Sequence, residues 1–240
     1  MPTSTVEDYL KRILLEEQAR PGQRVSTGAI AAALDVAPAS VTAMIKTLDG
    51  SGLVSYEPYS GVSLTDAGRQ LALHVLRRHR LVELFLVRVM GIDWARVHAE
   101  AELLEHAVSD RLIRRMDEML GFPDVDPHGD PIPTALGEVQ ERARMTLLSG
   151  PVGQLLEVVR VGNQTVDFLQ LIEREGLKPG QHVTILERDE AADRVWLARE
   201  GRSDFSLGYR AASKIFVGRP VGVSATSPAS ELEPEERDDG

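Results

Sequence analysis

The chain has 240 residues and a formal net charge of -10, long enough for two or three modules with their own cores. Cysteine is absent, which excludes disulfides, zinc-finger ligation and iron-sulfur clusters, so any metal must be held by oxygen and nitrogen donors. The acidic balance argues against a non-specific nucleic-acid coat, and neither a membrane span nor a secretory leader is visible, so a soluble cytoplasmic protein without a membrane partner is expected.

In chain order, residues 6–19 are predicted to form a helix with Leu10, Ile13 and Leu14 facing inward, ended by Pro21 and Gly22. Two tightly joined helices follow. The first covers about residues 26–35, with Thr27 as its cap and Ile30 and Leu34 inward. Pro38 opens the second, where Val41, Met44, Ile45 and Leu48 keep the i, i+3, i+4, i+7 spacing of a core face. Residues 53–56 and 62–65 then change period around a Pro58-Tyr59-Ser60-Gly61 tip, the pattern of a β-hairpin. A helix capped by Thr65 and Asp66 is expected to reach Val89. Another is expected to run unbroken from Asp93 or Trp94 to about Met119. Residues 121–151 are rich in proline and glycine and read as a linker with at most a short helix over 136–148. Strand-like runs at 155–161, 182–186, 195–197 and 215–217 surround one helical segment at 166–175, a pattern that predicts a small β-barrel. An acidic, apolar-poor tail closes the chain and is expected to be disordered.

Helix, short turn, helix and hairpin is the order of a winged helix-turn-helix, whose second helix enters the major groove of double-stranded DNA. Its exposed side carries Ala39, Ser40, Thr42, Ala43, Lys46 and Thr47. Hydroxyls suit phosphates or base edges, and Pro38 and Ala39 suit thymine methyls. Thr27 and Tyr59 complete the candidate DNA contacts, beside Pro38, Ala39, Ser40, Thr42 and Lys46. No Arg or Gln stands ready for bidentate base reading, and acidic side chains outnumber basic ones over residues 1–76. Affinity for an operator must therefore come from a few placed cations. The plain alternative is a scaffold or protein-interaction module of the same fold.

Beyond Trp94 the sequence places His98, Glu102, Glu105 and His106 in one helical stripe, bordering the apolar Val97, Ala101, Leu104 and Val108. The preceding helix adds His79 and Glu83 at i, i+4. Imidazole and carboxylate without thiolate suit Mn²⁺ or Fe²⁺. The plain reading of the same residues is a solvated face paired with Arg77, Arg78 and Arg80. A di-metal enzyme is the rival from another class. Ferritin-like sites, however, need Glu-x-x-His on two helices, whereas Glu102 and His106 are four apart. His128 and His182 fall outside the constellation and read as surface residues.

T-V-E-D-Y-L at 5–10, A-P-A-S-V-T at 37–42, H-R-L-V-E at 79–83, E-L-L-E-H at 102–106 and G-D-P-I-P at 129–133 resemble the family of the diphtheria toxin repressor and the manganese transport regulators, over residues 4 to about 220. The resemblance implies a homodimeric, metal-dependent repressor of metal-uptake genes, mainly α with a C-terminal all-β domain. The division it implies is a winged helix-turn-helix over 1–65, a helical dimerisation and metal-binding domain over 66–120, the linker over 121–151, an SH3-like small barrel over 152–222, and the acidic tail over 223–240. It also implies a primary metal site of Asp8, Glu102, Glu105 and His106, and an ancillary site of His79, Glu83 and His98 with Gln164 and Asp167. Asp8 and Glu102 stand where the iron-sensing branch has Met and Cys, which moves the expected effector to Mn²⁺, with Fe²⁺ the alternative. Short manganese regulators carry a further carboxylate where this chain has Lys11, which sets it apart from their closely bridged two-ion arrangement.

Overall fold

The structure, a computed structural model, describes residues 3–140 and 144–220; the expected tail at 223–240 lies outside the described residues. Helix α1 spans Ser4–Ala19 and starts where Thr3 accepts a hydrogen bond from the Val6 amide. Helices α2 (Thr27–Leu34) and α3 (Pro38–Gly50) meet at a bend of 114°, within the range of a helix-turn-helix. Ser26, not Thr27, caps α2: its side chain accepts from the Ala29 amide, and Thr27 takes the first helical position. Both are hydroxyl residues, so the pattern alone left the cap one residue out. Strands β1 (Val54–Glu57) and β2 (Gly61–Leu64) pair antiparallel with Val54 opposite Leu64. Val25 bridges to Val62 beside them. Gly61, at φ +113°, permits that approach, since a Cβ there would lie 2.6 Å from the Val25 carbonyl oxygen.

Helix α4 (Asp66–Arg88), capped by Thr65, is the spine of the molecule. Its Ala72, Leu73 and Leu76 close the winged-helix core against Leu10, Ile13, Ile30, Val41 and Ile45. One turn on, Leu81, Val82 and Leu84 start a second core with Val97, Ala101, Ile113 and Ile132. Each buried Leu, Ile or Val among them contributes about 1.5–3 kcal/mol when fully buried, so a single helix couples the two cores. The helix expected to run unbroken from residue 93 or 94 is in fact two, α5 (Val97–Glu105) and α6 (Asp110–Met119). Ser109 ends the continuity by accepting from the Leu112 amide as a new N-cap. With α5 ending at Glu105, Leu104 is exposed while Val97 and Ala101 stay buried.

Strands β3 (Leu155–Val161), β4 (His182–Asp189), β5 (Arg194–Arg199), β6 (Arg202–Leu207) and β7 (Ile215–Gly218) form one antiparallel sheet in the order β6-β5-β4-β3-β7. Helix α7 (Val166–Arg174) follows β3 and the short α8 (Tyr209–Ala212) precedes β7. Strand β6 escaped the sequence pattern because half of its R-S-D-F-S-L run is exposed and only Leu207 is buried, which leaves little apolar alternation to read. The sheet wraps Leu156, Val158, Leu169, Ile172, Ile185 and Val217, and Trp94 and Ala95 from the turn before α5 enter the same core.

The expected linker is structured over most of its length, and no helix forms over its described residues. Ile132 belongs to the second core and Leu147 to the third. Asp126 and His128 are buried. The His128 carbonyl accepts from the Val161 amide, and Leu147 donates to the Ile215 carbonyl. Proline and glycine here build tight turns against neighbouring elements instead of a free tether. No single described helix is long and apolar enough to cross a membrane; α2 and α3 reach that length and composition only as a sharply bent pair.

Candidate metal centre and DNA-binding face

Helices α1, α4 and α5 converge on one cluster. Asp8 and Lys11, three residues apart, project from the same side of α1 towards α5. His106 Nε2 lies 2.8 Å from Asp8 Oδ1 and 3.1 Å from Glu105 Oε1, while its Nδ1 lies 2.6 Å from Glu7 Oε2. Glu7 thus fixes the ring so that Nε2 faces the carboxylates. Glu105 is buried and shared: Oε2 accepts from His79 Nδ1 at 2.6 Å and Oε1 from the Lys11 ammonium at 2.6 Å. On the other side His79 Nε2 and His98 Nδ1 each lie 3.1 Å from Glu83 Oε1.

The remaining sequence candidates are placed unequally. Glu102 Oε1 sits 2.8 Å from Lys11 Nζ, 3.5 Å from His98 Nε2 and 3.8 Å from His79 Nδ1, so it faces the His79 side instead of joining Asp8 and His106. Gln164 lies at the rim of a cavity of about 90 Å³ lined also by Lys11, His79, Glu83, His98 and Glu102, and its amide donates to Asp130 Oδ2 at 2.7 Å. Asp167 is exposed in the first turn of α7 and joins none of the ligand groups found among the described residues. Among the described residues, Arg77 and Arg78 do not pair with the cluster carboxylates as the solvated-face reading requires, and Arg80 reaches only Asp126, at 3.6 Å. They bind Asp117 and the Pro133 carbonyl, Asp110 and the Val108 carbonyl, and the Pro131 carbonyl.

Nothing in the helical spacing marked Glu7, Asp126, His128 or Asp130. The reading of His128 as a surface residue is wrong, because its side chain is fully enclosed, whereas His182 is exposed as expected. Glu83, Asp126 and His128 bring ligand atoms within 4.8 Å of one another. His128 Nε2 hydrogen-bonds the Trp94 carbonyl at 2.9 Å, which leaves Nδ1 as a buried lone pair without a hydrogen-bond partner. Asp126 accepts from the His128 and Asp130 amides through Oδ1. The signal was present as D-P-H-G-D at 126–130, hidden inside a stretch whose prolines and glycines read as linker.

Burial opposes charge throughout the cluster, and hydrogen bonding decides the outcome. Burial alone would depress His79, yet hydrogen bonds to Glu105 and Glu83 hold it up at about 9. Glu105 and Glu83 are held below the carboxylate range against burial, by hydrogen bonds to His79 and, for Glu83, also to His98. Burial raises Asp8. Asp126 is pushed far up by burial, with the Asp130 and Glu83 charges adding to it. The buried carboxylates are faced by Lys11 and imidazoles, with Arg80 3.6 Å from Asp126 at the edge of the cluster, which is the environment of a hard divalent cation held by oxygen and nitrogen. The orphaned His128 nitrogen fits the same donor chemistry.

On the winged-helix domain Pro38, Ala39, Ser40 and Lys46 are exposed on α3, and Tyr59 stands fully exposed at the hairpin tip with φ +66°. Thr42 is half-buried and donates to the Pro38 carbonyl, and Thr27 is half-buried at the start of α2. Arg24 donates to the Ser55 carbonyl and lies 3.6 Å from Glu57, which steadies the hairpin beside α3.

Residues 1–62 match the iron dependent repressor N-terminal DNA binding domain, residues 65–134 the iron dependent repressor metal binding and dimerisation domain, and residues 145–219 the FeoA domain. The chain is 38 % identical over 197 residues to the iron-dependent repressor IdeR of Mycobacterium tuberculosis, covering 75 % of this chain and 83 % of that one. It is 38 % identical over 127 residues to the HTH-type transcriptional regulator MntR of Lysinibacillus sphaericus, 53 % of this chain and 89 % of the relative. Among solved structures, a manganese-dependent transcriptional repressor in complex with manganese superposes with a TM-score of 0.80 at 38 % identity, covering 90 % of this chain and 100 % of that one. A DNA-binding winged helix joined to a metal-binding dimerisation domain defines a metal-dependent transcriptional repressor, not an enzyme. The FeoA match gives the C-terminal sheet its SH3-like class. The chain belongs to the iron-dependent repressor family, that of the diphtheria toxin repressor and the manganese transport regulators.

Proposed function

We propose that this repressor answers to Mn²⁺, with Fe²⁺ the alternative effector, and that as a homodimer it binds operator DNA and silences metal-uptake genes when the ion is plentiful. The observation that carries the reading is the meeting of Asp8 on α1 with Glu105 and His106 at the end of α5. Those residues would hold one ion, and His79, Glu83 and His98, with Gln164 near their rim, would hold another. A bound ion supplies positive charge shared between the DNA-binding domain and the dimerisation domain. Shared ligation fixes the spacing of the two recognition helices, which must match half-sites a helical turn or a multiple apart. An ion shifts the equilibrium only through its preference for that arrangement. Oxygen and imidazole donors without sulfur favour Mn²⁺. A mobility shift with operator DNA, run anaerobically with Mn²⁺, Fe²⁺ or a chelator, tests it. Retardation at low Mn²⁺ that chelator abolishes is expected; equal retardation in chelator rejects the reading, and a response to Fe²⁺ alone selects the alternative.

Two further results are expected. Lys46→Ala should weaken binding uniformly across operator variants and lower the slope of log affinity against log salt by about one per half-site. An unchanged slope would take Lys46 off the phosphates. The pH dependence follows from His79, whose pKa is raised from 6.5 to about 9. A raised value stabilises the metal-free fold fully below pH 6.5, and that contribution is lost as pH rises through about 9. Ligation requires the neutral imidazole, so Mn²⁺ uptake releases this proton and affinity rises with pH across the same window. Calorimetry in buffers of different protonation enthalpy reads the released proton; none released would remove His79 from the ligand set.

A further inference from the structure

We propose that the cavity between α4 and α6 binds an organic carboxylate carried on an apolar, ring-sized body. This ligand site is separate from the metal centre and stands whether or not an ion is bound there.

The cavity holds about 420 Å³ and lies between α4, α6 and the chain around Ala135, a size that takes a small organic molecule. Its charges decide the sign of the ligand. Three carboxylates line it and each is already matched: Asp117 by Arg77, Asp110 by Arg78 at 3.2 Å and His74 at 3.6 Å, and Glu118 by Arg115 at 2.9 Å. Arg114 lines it too, exposed and without a hydrogen bond or ion pair among the described residues. Arg78 Nε is buried and also lacks an acceptor. A whole guanidinium and one further N–H donor are left over with no acid to answer them, so the surplus suits an anion and repels a metal ion. Arg114 presents parallel donors, the geometry that a carboxylate matches. Arg77 and Arg78 also donate to the Pro133 and Val108 carbonyls, so the walls are held before a ligand arrives. The apolar part of the lining sets the rest of the ligand. Ile113 is buried, whereas Phe122 is 69 % exposed. Phe122 also has φ +56°, a left-handed conformation that a bulky residue adopts only at a cost. Strain and an uncovered ring therefore meet at the cavity that holds the spare cation. An apolar body covers the ring while its carboxylate takes Arg114.

Calorimetric titration of the full chain with 2-naphthoate, in chelator and again in saturating Mn²⁺, tests this; 2-naphthamide, of the same shape without the charge, is the control. Naphthoate should bind in both conditions, and the amide about tenfold more weakly. Arg114→Gln should weaken naphthoate by about tenfold. Phe122→Gly, which suits the left-handed backbone and removes the ring, should weaken it by about threefold. Circular dichroism should show both variants folded. Absence of naphthoate binding, equal binding of the amide, or binding that either variant leaves unchanged overturns the proposal. Binding seen only with Mn²⁺ puts the carboxylate on the ion and overturns it too, leaving the metal-centre reading intact. Naphthoate bound in chelator by a chain that takes up no Mn²⁺ supports this site and counts only against that reading.

Discussion

Glu105→Gln is expected to lower Mn²⁺ affinity by about 100-fold or more and to abolish the metal-dependent gain in operator binding, while the chain stays folded. Glu105 is buried at the junction of the cluster, with one oxygen on His79 and the other on Lys11 and close to His106. Glutamine keeps the volume but removes the charge, and it turns one acceptor into an amide donor that faces donors. Lys11 retains Glu102, and His79 retains Glu83, so neither buried cation is left without a carboxylate. The stability loss should stay below the roughly 3–5 kcal/mol of a fully broken buried pair. Glu102→Ala, at the more exposed rim, should also lose the metal response at less cost in stability. Calorimetric Mn²⁺ titration and a mobility shift with and without Mn²⁺ read the effect, and circular dichroism checks the fold. Undiminished Mn²⁺ activation of Glu105→Gln would take Glu105 out of the centre.

The winged helix was legible because its signals are local: Pro38 at a helix start, the four-residue core spacing of α3, and a hairpin of changed period. The α5 donors were legible as a stripe for the same reason, since helical periodicity aligns Glu102, Glu105 and His106 without tertiary information, but it does not show that Glu102 turns to the His79 side. Asp8 was not, because nothing on α1 says which helix it will meet. Only family resemblance supplied it, and the structure puts it against His106. Lys11 as a centrepiece and Glu7 as the support of His106 are tertiary facts of the same kind. The loop carrying Asp126, His128 and Asp130 was hidden for a different reason. Composition distinguishes turn-forming from helix-forming residues, but it does not tell a free tether from a tight turn pressed against a strand. The unbroken helix expected from residue 93 or 94 failed on a single capping serine, Ser109, whose hydrogen bond outweighs an apolar pattern that continues through it.

That tight turn makes Gly129 the most sensitive backbone position around the centre. It adopts φ +86°, and a Cβ there would lie 2.0 Å from the Val159 carbonyl oxygen and 2.8 Å from the Arg160 Cα, both backbone of β3. Gly129→Ala therefore combines left-handed strain with a clash against atoms that cannot rotate away. A loss of about 3 kcal/mol or more is expected, a fall in Tm of roughly 10 °C. Gly153→Ala is the control. That glycine has φ +75° but nothing within 4 Å of the added carbon, so it should lose only about 1 kcal/mol from the conformation itself. The difference between the two variants measures how closely the loop is pressed on β3. The consequence reaches the metal centre, because the loop holds Asp126 and His128 beside Glu83 and Asp130 beside Gln164. Gly129→Ala should weaken Mn²⁺ uptake on the His79, Glu83 and His98 side, with the Asp8 and His106 side spared. Equal Tm values for the two variants would mean that β3 yields to the loop, and that Asp126 and His128 are not held in place by it.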